Sequence, residues 1–281
     1  MDRLRQTALD WLRCRQRAVL VEVLQVQGSA PREAGTRMLV SAVQCAGTIG
    51  GGHLELKAIE SAREQLRRPD GAMAAWQAHY PLGPALGQCC GGAVTLEFRV
   101  LDAQALARWP SVPPRFHLQL YGAGHVGRAI VQALAPLNVS VDWIDEREDE
   151  FPPAELIPAH TRRVCVDAVE AEVDQAPPGA FYLVLTHRHD LDLLLTQTIA
   201  RRGDFGYLGL IGSATKRARF WRRMAAQGLS EDLLARITCP IGVPGIEGKE
   251  PEVIAVAVVA QLLQQPACAL VDAARALEAR V

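Results

Sequence analysis

An excess of charge of either sign is missing from this chain: 30 lysines and arginines stand against 31 aspartates and glutamates. Non-specific nucleic-acid binding draws on a surplus of basic side chains, so the balance gives it no support. A small molecule or another protein is the expected partner. Long apolar runs are missing too. The longest, Val253 to Leu263, falls short of the roughly 20 residues that span a bilayer. The opening MDRLRQTALDWLRCRQR reads as an arginine-rich amphipathic helix rather than a basic start followed by an apolar run. These features predict no membrane association and a cytoplasmic location. There is no CxxC pair, and seven cysteines at irregular spacing (14, 45, 89, 90, 165, 239, 268) exclude a disulfide framework. Reduced thiols, several of them simply buried, are expected. No internal repeat or low-complexity stretch appears. What remains is 49% apolar and 22% charged over 281 residues, which suits one large domain or two medium ones with a substantial core.

The stretch FHLQLYGAGHVGRAIVQALAPLNVSVDWID, Phe116 to Asp145, is the most informative. Phe116, Leu118 and Leu120 alternate with polar residues, then Gly122, Gly124 and Gly127 follow, then Ala129, Ile130, Ala133 and Leu134 recur at helical spacing. Strand, tight turn and helix are predicted in that order, with a second strand over Val139 to Ile144. Gly122 permits the turn, Gly124 lets backbone N–H groups approach a phosphate, and Gly127 lets helix and strand pack closely. Asp145, at the end of the second strand, is placed where a ribose hydroxyl is commonly held. An ordinary βαβ unit without a ligand fits the same residues. His125, on the first helical turn, is expected to be neutral because the positive end of the helix dipole disfavours its protonation.

Upstream, Ala18 to Val26 and Arg37 to Val40 read as strands. The segment Gly47-Thr-Ile-Gly-Gly-Gly-His53 opens a helix over Leu54 to Arg68. Three consecutive glycines mark either a close backbone approach or a mobile connection. Ala74 to Leu82 and Val94 to Val100 are further strands, separated by a glycine loop carrying Cys89 and Cys90. Neighbouring side chains on an extended backbone point to opposite faces, so the two thiols do not suit one metal. One exposed thiol could serve as nucleophile, metal-centre ligand or sulfur carrier; burial of both is the alternative. After a short helix over Ala103 to Trp109, Pro110-Ser-Val-Pro-Pro114 cannot continue a helix or central strand. We therefore expect an N-terminal α+β domain over residues 1–109, a linker over 110–114 and a Rossmann-like domain over 115–281 with a mostly parallel sheet.

Within the second domain, strands are predicted over Thr161 to Val166, Phe181 to Leu185 and Tyr207 to Ile211. Thr186-His-Arg-His-Asp-Leu-Asp192 lies at the carboxyl edge of the sheet, where ligands of open α/β folds sit. Its two aspartates suit capping or the dipole of a helix over Leu191 to Arg202, general polar lining, or a metal. His187 is a candidate to contact whatever the glycine loop holds. Ser213 at a helix start, with Lys216 one turn in, could hold an anion beside the first phosphate site. The long glycine- and proline-rich loop Cys239 to Lys249 precedes an apolar helix over Pro251 to Gln264, with Pro251 suited to its first turn.

Five stretches together resemble the xanthine dehydrogenase accessory family, the XdhC/CoxI-like proteins. They are GSAPREAGTRMLV, GTIGGGHLE, GQCCGGAVTLEF, YGAGHVG with VDWID, and the tail from YLGLIGSATKR through CPIGVPGIEGKEPEVIAVAVVAQLL. The resemblance spans nearly the whole chain. His53 stands where the CoxI-like branch looks to carry a cysteine, which places this chain with the XdhC branch. The resemblance implies a chaperone, rather than an enzyme, that binds the molybdenum cofactor (molybdopterin). It would assist the cofactor's sulfuration, guard it from oxidation and deliver it to a molybdenum hydroxylase of the xanthine dehydrogenase type. Such proteins look like homodimers that dock a cysteine desulfurase as well as the target enzyme. Carried onto this chain, Cys89 or Cys90 would face the molybdenum or its sulfur, and Gly122 to Gly127 would hold the pterin's phosphate. Arg188, at a position where the resemblance points to an acidic residue, could help to bind an anion. An NAD(P)-dependent oxidoreductase is the main alternative, since the same glycine loop and Asp145 suit a dinucleotide. A regulatory module that senses a nucleotide is a third reading. Paired cysteines have no part in hydride transfer, and no lysine–tyrosine or histidine–aspartate pair accompanies the loop, which favours the chaperone.

Overall fold

The computed structural model describes residues 3–68, 74–82, 92–110 and 112–266. The chain divides into two compact units that meet in sequence at Val112 and Pro113. The first unit is built on an antiparallel sheet. Its strands are β1 (Ala18–Gln27), β2 (Arg37–Ser41), β3 (Cys45–Gly47), β4 (Trp76–Pro81) and β5 (Ala93–Val100), in the order β3-β2-β1-β5-β4. The continuous apolar run at the start of β1 makes it the central strand, buried on both faces. Val19, Val21 and Val23 face α2 (Gly52–Leu66), whose Leu54, Ala58, Ala62 and Leu66 form the predicted stripe. Ala18 and Leu20 face the other way, toward Trp11 of α1 (Arg3–Arg13) and Ala105 and Leu106 of α3 (Ala103–Arg108). Strand β3 was not expected from the sequence. Three residues carry no period that could announce it, and its pairing with β2 is what makes it a strand.

The second unit holds a six-stranded sheet, parallel throughout. Its strands are β6 (His117–Tyr121), β7 (Ser140–Asp145), β8 (Thr161–Cys165), β9 (Phe181–Val184), β10 (Tyr207–Leu210) and β11 (Ile237–Thr238). The spatial order β11-β10-β9-β6-β7-β8 is that of a Rossmann fold, with the order reversing between β6 and β9. One face is covered by α4 (His125–Leu134) and α8 (Pro251–Gln264), which bury Ile130, Leu134, Val258 and Leu262 over Leu118, Leu120 and Leu183. The opposite face carries α5 (His189–Arg202), α6 (Ala214–Ala226) and α7 (Glu231–Ala235), packed on Tyr121, Tyr182, Leu208 and Leu210. Because both faces are covered, the polar Gln119 in β6 is fully buried. Its amide donates to the Glu172 carbonyl at 2.6 Å and its carbonyl accepts from the Tyr121 hydroxyl at 2.7 Å. Among the described residues no helix is long and apolar enough to cross a membrane.

Candidate functional site

The three glycines of the β6–α4 turn have distinct surroundings. Gly122 has φ +126°, a conformation that L side chains rarely adopt, and a Cβ there would stand 2.3 Å from the Leu185 carbonyl oxygen. A Cβ on Gly127 would stand 2.1 Å from the Gly122 carbonyl oxygen, so helix and turn are in direct backbone contact. Gly124 differs: its φ of −68° is ordinary, and nothing lies within 4 Å of a Cβ placed on it. It caps α4 without a side chain, so no N-cap side chain takes up the helix's first-turn N–H groups, which lack intrahelical acceptors.

Asp145 is held within the protein. It is 4% exposed; Oδ2 accepts from the Ala123 N–H at 2.6 Å and from Arg147 Nη2 at 2.9 Å. Oδ1 accepts from the Arg147 N–H at 2.9 Å and Nε at 3.0 Å. Burial pushes this carboxyl up, but the hydrogen bonds from Arg147 and the Ala123 N–H outweigh it, and it titrates below the ordinary carboxylate range. Asp145 thus fastens the glycine turn from below and spends both oxygens doing so.

Beyond β9, Asp192 in the first turn of the following helix plays a part that capping does not describe. Helix α5 begins at His189, with Arg188 as its N-cap. Asp192 is 1% exposed and accepts from the Thr186 N–H at 3.0 Å and the Thr186 hydroxyl at 2.7 Å. Its second oxygen accepts from Lys216 Nζ at 2.6 Å. Lys216 also donates to the Ile211 carbonyl at 2.9 Å, so its charge is committed to Asp192. Ser213 caps α6 by accepting the Lys216 N–H at 3.3 Å. Asp190 stays at the surface with Arg188, whose hydrogen bond draws its carboxyl down to about 2.

Thr186, His187, Asp192, Ser213, Lys216 and Arg219 together line an open cleft of about 450 Å³, within the range of small-molecule sites. Thr186 and His187 also border the crevice above Gly122 and Asp145 at the switch in strand order. That crevice narrows to about 10 Å³, at the limit for a single water. Across it Glu146 stands 3.4 Å from both His187 Nε2 and Arg188 Nη1. His125 faces elsewhere, into an apolar groove of about 470 Å³ with Arg128, Ala133, Ala255 and Val256. So the structure groups His187, Ser213 and Lys216, sets the glycine turn and Asp145 beside them, and leaves His125 out. Among the described residues no cluster of three or more metal-binding side chains occurs. Thr186 and Arg219 are further lining residues that the sequence did not single out, and Asp192, expected as a cap, polar lining or metal ligand, lines the cleft as the buried partner of Lys216.

In the first unit, the resembling stretches meet around the loop between β1 and β2, at one end of the strands. Glu55 accepts from the Thr48 hydroxyl and from the N–H groups of Ile49 and Gly51, the last two at 3.1 Å, folding the glycine segment around one carboxylate. A Cβ on Gly50 would meet Pro31 at 2.6 Å, and one on Gly92 would meet the Ser29 carbonyl oxygen at 2.3 Å. The Leu82 N–H donates to the Gly92 carbonyl at 2.8 Å. Cys89 and Cys90 themselves lie outside the described residues.

Comparison with known proteins sharpens this. Residues 118–262 match the model of the XdhC Rossmann domain, and residues 11–77 that of the XdhC and CoxI family. The chain belongs to the XdhC and CoxI family. The Escherichia coli (strain K12) protein YqeB is 32% identical over 255 residues, covering 87% of this chain and 43% of YqeB. The XdhC-family chain thus spans less than half the length of that relative. A solved structure described as a xanthine dehydrogenase from Bacillus halodurans superposes with TM-score 0.71 at 19% identity, covering 92% of this chain and 94% of that one. That likeness speaks for the fold.

Proposed function

We propose that this XdhC-family chain binds the molybdenum cofactor and serves as an accessory protein in maturing a molybdenum hydroxylase of the xanthine dehydrogenase type. The observation that carries the reading is the contrast among the three glycines. Gly122 and Gly127 are packed against backbone, while Gly124 opens onto free space at the N-terminus of a ten-residue helix. A phosphate fits there. The neighbouring cleft, with Thr186, His187, Ser213, Lys216 and Arg219, has room for the rest of a phosphorylated heterocycle. Because Lys216 is neutralised by Asp192, Arg219, which has no ion-pair partner among the described residues, supplies a free positive charge to the cleft, and Lys216 offers a fixed hydrogen-bond donor. When bound, the cofactor supplies a redox-active metal centre. In this reading Cys89 or Cys90 contacts the molybdenum or its sulfur, and a homodimer docks a cysteine desulfurase and the target enzyme.

The strand order favours one other reading, a dinucleotide-dependent oxidoreductase. Against it, both oxygens of Asp145 are spent on Ala123 and Arg147, so a ribose diol would have to displace bonds already made. Purification from cells that synthesise the cofactor, followed by oxidative release of fluorescent pterin, separates the two. Pterin retained by the wild type and reduced in Cys89→Ala or Cys90→Ala supports the chaperone. Equal recovery from all three removes the thiol role, and tight NADH binding without pterin supports the oxidoreductase.

A further inference from the structure

The end of α1 carries a backbone feature that the cofactor reading does not use. Arg15 has φ +52°, the single positive φ outside glycine among the described residues. The Arg15 N–H donates to the Leu12 carbonyl at 3.0 Å and the Gln16 N–H to that of Trp11 at 2.8 Å. This pairing closes a helix through a left-handed residue, a position that glycine occupies most readily. An arginine held there at a conformational cost suggests that its side chain is needed.

That side chain borders a cavity of about 210 Å³ with an apolar floor of Leu12, Ala18, Leu66 and Leu101 and with Arg17 on its rim. Arg15 and Arg17 are exposed, and among the described residues neither has an ion-pair partner. Leu66 is followed at once by Arg67 and Arg68, also exposed. The nearest carboxylate in sequence on the far side, Asp102 beside Leu101, is committed to capping α3 through the Ala105 N–H at 2.7 Å. An apolar pocket bordered by two guanidinium groups, neither ion-paired among the described residues, results. Its volume falls below the roughly 300–1,000 Å³ of small-molecule clefts and suits a single large side chain. Guanidinium groups match carboxylates in a two-pronged geometry.

We infer that this pocket docks an acidic segment of a partner protein, which buries one apolar side chain against Leu12, Leu66 and Leu101 while its flanking carboxylates meet Arg15 and Arg17. The surface is independent of any ligand at the glycine turn, so failure of one reading leaves the other standing. The test uses the full chain and fluorescence anisotropy of a labelled glutamate-rich peptide with one central leucine, beside the same peptide carrying serine instead. The leucine peptide should bind about tenfold more tightly, the scale of burying one such side chain, and its affinity should fall as salt rises. The double variant Arg15→Gly/Arg17→Ala should weaken binding about tenfold. Its melting temperature should stay at or above that of the wild type, because glycine relieves the left-handed position. Failure of the leucine peptide to bind, equal binding of the two peptides, or undiminished binding by the double variant would each overturn the inference. So would capture of phosphatidylglycerol vesicles with no binding of the peptide.

Discussion

Replacing Gly124 by alanine adds one methyl group in open space, whereas the same change at Gly127 drives a methyl into the Gly122 carbonyl oxygen. At Gly127 the added Cβ would stand at 2.1 Å, more than 1 Å inside ordinary contact, which begins at 3.4 Å, and the obstacle is backbone. Helix α4 must shift off the turn, and overpacking of this kind costs about 3 kcal/mol. At Gly124 two small effects oppose each other. Alanine is the poorer helix cap by up to about 1 kcal/mol, while the unfolded chain loses freedom worth about 0.4–1 kcal/mol. Stability should therefore stay within about 0.5 kcal/mol of wild type. Ligand binding should respond in the opposite order of severity. The methyl on residue 124 occupies the approach to the first-turn N–H groups, and losing one charge-assisted hydrogen bond, about 1.5–3 kcal/mol, lowers affinity roughly tenfold to a hundredfold. Urea unfolding followed by circular dichroism gives the stabilities, and fluorescent pterin recovered from purified protein gives retention. A Gly124→Ala protein that keeps its full complement of pterin would refute a phosphate at this helix. A Gly127→Ala protein as stable as wild type would refute the close packing.

Three further outcomes follow from the geometry. Lys216→Met strands the buried Asp192 carboxylate and should cost about 3–5 kcal/mol by urea unfolding, with most of the loss recovered in Lys216→Met/Asp192→Leu; a double variant no better than the single would show that the pair is not what holds α5 to α6. The Asp145 carboxyl is depressed in the fold, so its stabilisation is complete above its unfolded value of about 3.9 and is lost as pH falls through the lower folded value. Asp145→Asn should therefore be less stable at neutral pH and lose less on acidification, which unfolding curves at successive pH values would register. Arg15→Gly alone should raise stability by about 1 kcal/mol, read as a higher unfolding midpoint; a lower one would mean that the arginine side chain supports the fold itself.

Much of the second unit was legible because glycine and proline act through the backbone. Helix α8 runs over Pro251–Gln264 as read from the sequence, since a proline opens it and Pro266 follows its end. The turn after β6 was legible for the same reason: positive φ at Gly122 and close packing at Gly127 leave a residue-type signature. Short elements such as β3, α7 and β11 were not, because two to five residues give no period and their partners are remote. Side-chain roles were the least legible. Lys216 reads as an anion ligand until its partner Asp192, 24 residues earlier in the chain, is known to be buried against it. Asp145 reads as a ribose ligand until Arg147, two residues on, is seen to take both of its oxygens. Each is a tertiary choice among chemically equivalent uses of one charge.

The space above Gly124 and the adjoining cleft are proposed to hold the molybdenum cofactor. Pterin content per chain, measured by oxidative fluorescence on protein purified from cofactor-synthesising cells, tests it most directly. Pterin should accompany the wild type and be lost from the stably folded Gly124→Ala variant. Wild-type protein that carries no pterin, or a nucleotide in its place, would contradict it.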